Sequence, residues 1–164
     1  MRPDWLPAPL TFSGSSPVQD YARLHDIYQN EILTTQLQIN SVKVVFNNRP
    51  DPNFHPYTYG FTHLITRDDK TGFRGIDYSR ACKLNWVVPI IQNYQDPAVS
   101  CFWFQHPKKG ETLAIWLEEY DYILILRWLT KNQTEKILIT SYSVDAGNRR
   151  YYERLRDRSD SRPL

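Results

Sequence analysis

Residues 99–144 read VSCFWFQHPKKGETLAIWLEEYDYILILRWLTKNQTEKILITSYSV, and this stretch decides the fold. It contains four runs rich in β-branched and aromatic residues, at 99–105, 112–119, 122–129 and 136–144. The connections between these runs, HPKKGE, YD and TKNQTE, are each short enough for a hairpin. The pattern therefore predicts a four-stranded antiparallel meander.

The segments before the meander predict helices and two short strands. A Ser-Pro pair precedes apolar residues spaced by three and four, which predicts an amphipathic helix over 17–33. SVKVVF and FTHLIT each predict a short strand. Two short helices, 77–84 and 88–94, follow, and Pro89 belongs in the first turn of the second because an interior proline removes a hydrogen bond.

Helices first and a sheet last indicate an α+β fold, with the N-terminal helices packed on one face of a four-stranded antiparallel sheet. A length of 164 residues suits one domain. We interpret residues 1–16, rich in Pro and Ser, as an arm that lies on the surface or is disordered, and residues 17–164 as the domain. Its tail is basic, with six Arg against three acidic residues from Arg149 to Leu164.

Several classes of protein are disfavoured by the sequence. The hydrophobic share of 41% excludes a disordered chain. Cys82 and Cys101 lack ligand spacing, so we predict neither a zinc site nor a disulfide, and a reducing, cytoplasmic setting is expected. No nucleotide, flavin or metalloprotease motif occurs, so no cofactor and no metal are predicted. No apolar run of membrane-spanning length is found, and we expect no membrane partner.

His63 is the histidine best placed for chemistry. If FTHLIT is a strand, His63 and Arg67 share one face of it, so an acid or base and a phosphate-binding guanidinium would meet one substrate. A core histidine beside a surface arginine is the alternative. Asp77 and Arg80 lie one helical turn apart, where a local ion pair is expected and where Asp77 also suits the helix cap.

The polar end of the last run, Thr140 to Ser143, is the second candidate. Thr140 and Tyr142 point to one side of a strand, and their hydroxyls are able to bind a phosphate. Thr and Tyr are also common strand residues with no function. The pair Arg149 and Arg150 suits a nucleic-acid phosphate, and a solvated charged tail is the alternative.

Taken in order, four segments resemble a known family. GFTHLITRD, DYSRACKLNWVVPIIQN, DYILILRWL and ILITSYSVDAGNRR are similar to phage and bacterial proteins of the superfamily of barnase, EndoU, colicin and RelE-like (BECR) nucleases. The resemblance covers about residues 41–152 and leaves out the arm and the first helix. It implies a helix-then-sheet fold and a metal-independent ribonuclease, often with a toxin role.

The resemblance also implies site residues. His63 would be the general acid or base, Arg67 and Arg80 would clamp the phosphate, and Thr140 and Tyr142 would orient it. The ribose 2′-hydroxyl attacks its own phosphate and forms a 2′,3′-cyclic phosphate, so the reaction needs only proton transfer and charge stabilisation. For the second acid or base, Lys83, Tyr142 and His55 remain open.

The expected partners are RNA and an antitoxin or immunity protein. The predicted RNA-binding residues are Arg74, Lys83, Arg149 and Arg150. Asp68 and Asp69 stand beside the proposed clamp and would partly offset its field. Two other functions remain open: an inactive BECR-like module that binds RNA or protein, and an adapter whose interface uses Trp103, Trp116 and Trp128.

Overall fold

The structure, a computed structural model, describes residues 1–14, 16–159 and 163–164. It is an α+β fold, as the order of elements predicts. The helices are α1 Pro17–Ile27, α2 Tyr59–Ile65, α3 Tyr78–Ala81, α4 Val87–Gln92 and α5 Ala146–Asp157. The strands are β1 Gln38–Ile39, β2 Val42–Phe46, β3 Thr66–Asp68, β4 Arg74–Ile76, β5 Val99–His106, β6 Gly110–Leu117, β7 Tyr122–Trp128 and β8 Glu135–Ser143.

The main sheet has six strands, in the order β1-β2-β8-β7-β6-β5. The four strands of the predicted meander form and pair antiparallel in chain order. The prediction of a four-stranded antiparallel sheet is wrong, because β2 joins β8 in parallel, from Lys43 opposite Glu135 to Phe46 opposite Leu138. β1 then pairs with β2 at the edge, and β3 and β4 form a separate two-stranded hairpin.

Both faces of this sheet are covered: the N-terminal helices pack on one face, and the C-terminal residues, predicted as a basic tail, form α5 on the other. In β6, Leu113 and Ile115 enter the main core with the N-terminal helices, whereas Ala114 and Trp116 enter a second cluster. Helix α5 covers that second cluster with Tyr152. A run such as LAIWL, apolar at consecutive positions, is what burial on both faces requires.

The segment FTHLIT forms helix α2 rather than the predicted strand. Phe61, Leu64 and Ile65 have the spacing of one helical face, and all three are fully buried. His63 therefore lies on the less buried side of a helix, and Arg67 lies in the following strand, β3. The two residues do not share a strand face as predicted.

The first helix is shorter than predicted. Ser16 caps α1 by accepting a hydrogen bond from the backbone N–H of Gln19 at 3.4 Å. The regular helix ends at Ile27 and continues as a wider, π-helical turn over Tyr28–Ile32.

The two predicted short helices form as α3 and α4, joined through a 3₁₀ turn at Leu84–Trp86. Asp77 caps α3 by accepting a hydrogen bond from the backbone N–H of Ser79 at 3.1 Å. Pro89 lies in the first turn of α4, where its missing N–H needs no helical partner.

The N-terminal arm packs on this helical segment. Leu6 is buried, the indole of Trp86 donates to the Pro7 carbonyl at 3.0 Å, and the Leu10 N–H donates to the Cys82 carbonyl at 2.7 Å. The arm thereby braces the part of the chain that carries α3. Among the residues that the structure describes, no helix is long and apolar enough to cross a membrane.

Candidate active site

The candidate site lies where β8 loses its parallel neighbour. β2 pairs with β8 only as far as Leu138, and beyond this point α2 and α3 pack against β8. The pairing of β7 with β8 shifts register here, since Ile125 faces Thr140 while Leu126 faces Leu138. Ile139 is thus the extra residue of a β-bulge, a feature that re-aims the side chains next to it.

Arg80 on α3 is the centre of this region. One terminal nitrogen, Nη1, donates to the carbonyl of His63 at 3.0 Å and to Thr140 Oγ1 at 3.3 Å. Thr140 Oγ1 in turn donates to the same carbonyl at 2.8 Å. The guanidinium carbon lies 5.6 Å from the ring centroid of Tyr142, and Nε lies 3.9 Å from an Asp77 oxygen. Arg80 is therefore fixed from four directions.

The hydroxyls of Thr140 to Ser143 all face protein partners. Tyr142 and Tyr152 hydrogen-bond through their hydroxyls, and Ser141 accepts a hydrogen bond from Tyr122 at 2.7 Å. Ser143 accepts from Lys83 Nζ at 2.9 Å and donates to the carbonyl of Ser79. Tyr142 thus presents its ring, not its hydroxyl, to Arg80, and the segment positions Arg80 and Lys83.

The imidazole of His63 is half-buried and makes no hydrogen bond within the described residues. Burial lowers its pKa, and the charges of Arg74 and Arg80 lower it further, against an opposing effect of Asp51 and Asp68. The lowered pKa favours the neutral form of the imidazole. A neutral imidazole with free nitrogens is suited to accept a proton.

Two further arginines lie near Arg80. Burial is the largest cause of the lowered pKa of Arg80, and the positive charges of Arg67 and Arg74 lower it further. Arg74 donates through Nε to Thr66 Oγ1 at 2.7 Å, which leaves its terminal nitrogens available. Arg67 is exposed and makes no hydrogen bond or ion pair in the described part of the chain. We call His63, Arg67, Arg74 and Arg80 the cationic cluster.

The acidic residues beside the cluster have local partners. Asp69 accepts hydrogen bonds from the N–H and the hydroxyl of Thr71 at 2.7 and 2.6 Å and from the Phe73 N–H at 3.0 Å, which lowers its pKa. Asp77 accepts from Ser79 as the cap of α3. Asp69 thus fixes a turn, although its charge still opposes the field of the cluster.

The structure does not bring Arg149 to the cluster. Arg149 lies on α5, pairs with Asp121 and Glu153, and covers the ring of Trp116 at 5.3 Å. This places it over the second core cluster, beside Trp116. Arg150 is an exposed residue of the same helix.

Two candidates for the second acid or base are already engaged, since Lys83 donates to Ser143 and the Tyr142 hydroxyl meets Tyr152.

Sequence reasoning missed Lys70 and Phe73, which lie in the hairpin beside the cluster. Their only signal was an aromatic residue in the charged loop KTGFRG.

Within residues 1–14, 16–159 and 163–164, no group of three or more His, Cys, Asp or Glu side chains is placed to hold a metal ion. Comparisons with family models, curated proteins and solved structures find no significant match for the chain. The geometry of the cationic cluster is therefore the basis for assigning a function.

Proposed function

We propose that this protein is an endoribonuclease with a BECR-like fold that cleaves RNA without a metal ion and leaves a 2′,3′-cyclic phosphate. One observation carries the proposal: His63, with a lowered pKa and free ring nitrogens, lies close to the guanidinium groups of Arg74 and Arg80, and Arg67 lies near Arg80. A base next to several cations matches the two needs of this reaction, proton removal and stabilisation of the charge on phosphorus.

In this mechanism His63 accepts the proton of the ribose 2′-hydroxyl, and the 2′-oxygen attacks the adjacent phosphorus. Arg74, whose charge acts on His63 and whose terminal nitrogens are available, stabilises the negative charge of the five-coordinate phosphate, and Arg67, on the other face of the hairpin, is left for a neighbouring phosphate. The bond to the 5′-oxygen then breaks. That oxygen takes a proton from solvent, because Tyr142 and Lys83 are engaged by Tyr152 and Ser143.

Arg80 has a supporting role in this scheme. Its Nη1 is engaged by the His63 carbonyl and by Thr140, so it ties α2 to β8 and adds positive charge behind the phosphate. The family resemblance further implies a toxin role with an antitoxin or immunity protein as partner. Such a partner would inhibit the enzyme by covering the cationic cluster with acidic groups.

A catalytically inactive RNA-binding module is the second candidate. The internal hydrogen bonds of Arg80 favour it, since they reduce the donors that reach a substrate. Both candidates predict RNA binding, and only the first predicts cleavage.

The deciding experiment is cleavage of a mixed RNA by the purified protein in EDTA, with the product ends identified. His63→Ala is expected to lower the rate about 10²–10⁴-fold, the contribution of a well-placed base. His106→Ala is the matched control, because among the described residues the one hydrogen bond of the His106 side chain is accepted by Nδ1 from the Lys108 N–H in the β5–β6 turn. The wild-type rate should fall as pH drops below the lowered pKa of His63, where the imidazole becomes protonated.

Cyclic-phosphate ends that depend on His63 would support the nuclease. RNA binding without cleavage by folded wild-type protein would overturn it and support the binding module. Cleavage that His63→Ala leaves unchanged would show that another group is the base.

A further inference from the structure

The hairpin of β3 and β4 extends the candidate site outward. Beside it lies an open groove of about 510 Å³, lined by two cations, an aromatic ring and three carboxylates among its eight residues: Arg67, Asp68, Asp69, Lys70, Phe73, Gly75, Ile76 and Asp77. Of the cationic cluster, Arg67 lines this groove, so the groove and the candidate site share that residue.

Phe73 is exposed in this groove in a way that folding alone does not explain. Its side chain is 69% exposed, against 37% for Tyr78 and Tyr151. Its ring packs against Gly75, where an added Cβ would lie only 3.0 Å from Phe73 Cε1. The backbone at Gly75 therefore supports the ring, which is otherwise open to solvent.

The turn that carries Phe73 is well ordered by hydrogen bonds. The Phe73 N–H donates to the Asp69 carboxylate at 3.0 Å, and the Asp69 N–H donates to the Phe73 carbonyl at 2.8 Å. Gly72 has a φ of +83°, a backbone conformation that glycine adopts without strain. The ring is thus held in place before any ligand binds.

The pairing of the hairpin sets an aromatic ring and a cation on one face. Gly75 lies directly opposite Arg67, and Phe73 is two residues before Gly75, so side chains at all three positions project from the same face. Lys70, in the connecting turn, is exposed and makes no hydrogen bond or ion pair in the described residues. An aromatic platform flanked by free cations is the arrangement that binds single-stranded nucleic acid.

We propose that Phe73 stacks on an unpaired nucleobase of a single-stranded RNA whose neighbouring phosphate is bound by Arg67. This inference rests on the proposed function and specifies its substrate: the base must be unpaired, because a duplex buries the base faces that stacking needs. The positive charges of Arg67 and Lys70 suit a phosphate backbone on either side of the stacked base, although Asp68 and Asp69 beside them partly offset their field.

The test measures binding rather than cleavage. A short single-stranded RNA with every 2′-oxygen methylated is not a substrate for 2′-hydroxyl attack, and its affinity is measured by fluorescence anisotropy. Phe73→Ala is expected to weaken binding about 5- to 100-fold, the usual effect of losing one stacked base. Phe73→Trp should retain affinity, and Phe73→Leu should behave like the alanine variant because it keeps an apolar side chain without a flat ring.

Tyr151→Ala, which removes an exposed aromatic ring from α5, is the matched control and should bind as wild type does. Annealing the complementary strand should abolish the difference between wild type and Phe73→Ala. If wild type and Phe73→Ala bind the single strand equally, the inference is overturned and the nuclease proposal stands. The same holds if Phe73→Ala weakens binding of the duplex as much as binding of the single strand. Binding that depends on Phe73 without cleavage of unmodified RNA would support the inference and overturn the nuclease, and no RNA binding by wild type would overturn both.

Discussion

At the scale of single residues, Arg80 shows how the protein holds a buried cation. Its side chain is 12% exposed, and Nε has no hydrogen-bond partner among the described residues. Removing a guanidinium from water is costly unless carbonyls, hydroxyls or π faces replace the lost water. The His63 carbonyl, Thr140 and the ring of Tyr142 provide that replacement.

This view of Arg80 assigns the ring of Tyr142, and not its hydroxyl, to the site. Tyr142→Phe should therefore leave the cleavage rate close to that of wild type, with a stability loss of about 1 kcal/mol from the broken contact with Tyr152. Tyr142→Leu removes the ring under Arg80 and should lower the rate about 2- to 30-fold, corresponding to a cation–π energy of 0.5–2 kcal/mol. The cleavage rates and the urea unfolding of both variants check this prediction. A large rate loss in Tyr142→Phe would show that the hydroxyl contacts the phosphate.

At the scale of elements, α2 matters most because it carries His63. The helix begins against a crowded surface: the Gly60 N–H donates to the Asn47 carbonyl at 2.8 Å. A Cβ at Gly60 would lie 2.7 Å from the Tyr28 hydroxyl and 2.8 Å from that same carbonyl. Only glycine permits this close approach of α2 to the chain around Asn47.

Gly60→Ala should consequently destabilise the protein by about 1–3 kcal/mol, the usual cost of forcing a methyl group into a filled space. Gly147→Ala is the matched control in α5, where the added Cβ would lie 3.4 Å from Asp145 Oδ1, an ordinary contact. There the substitution should stabilise by about 0.5–1 kcal/mol, because alanine favours helix. Urea unfolding of the two variants measures the difference, and equal stabilities would contradict the packing argument.

The same elements show what the sequence was able to predict. The meander was predictable because period-two runs with short connections leave few other pairings. FTHLIT was misread because a short apolar run fits a strand and a helix equally well, and only burial of Phe61, Leu64 and Ile65 on one face decides between them. The parallel addition of β2 to β8 joins segments about ninety residues apart, so no local pattern indicates it.

The residues of the site were easier to predict than their roles. His63, Arg67, Arg74, Arg80 and Thr140 were chosen by residue type and resemblance, and the fold brings them to one region. Their contacts depend on how α2, α3 and β8 meet, which sequence spacing does not set. The hydroxyl of Tyr142 was assigned to a phosphate because the docking of Tyr152 from α5 was not foreseen.

At the scale of the whole molecule, a net charge of +2 conceals an uneven distribution of available cations. On α5, Arg149 pairs with Asp121 and Glu153, and Arg156 pairs with Glu118 and Asp157. At the hairpin, Arg67 and Lys70 have no such partners among the described residues. On α5 and directly after it, Arg150, Arg154 and Arg158 also lack such partners in the described part of the chain, so unpaired cations alone do not favour the hairpin. Arg67 differs from them because it lies near Arg80, and on this ground we expect RNA at the hairpin rather than on α5.

The salt dependence of RNA binding tests this distribution. Each cation that contacts a phosphate releases counterions, so Arg67→Gln should weaken binding and reduce the slope of log affinity against log salt by about 0.7 for single strands. Arg154→Gln is the matched control, since Arg154 is an exposed residue of α5 with no hydrogen bond or ion pair from its side chain in the described structure. It should leave affinity and slope unchanged, because no contact in the described residues joins the Arg154 side chain to the cationic cluster. A slope that falls with Arg154→Gln and not with Arg67→Gln would instead place the RNA on α5.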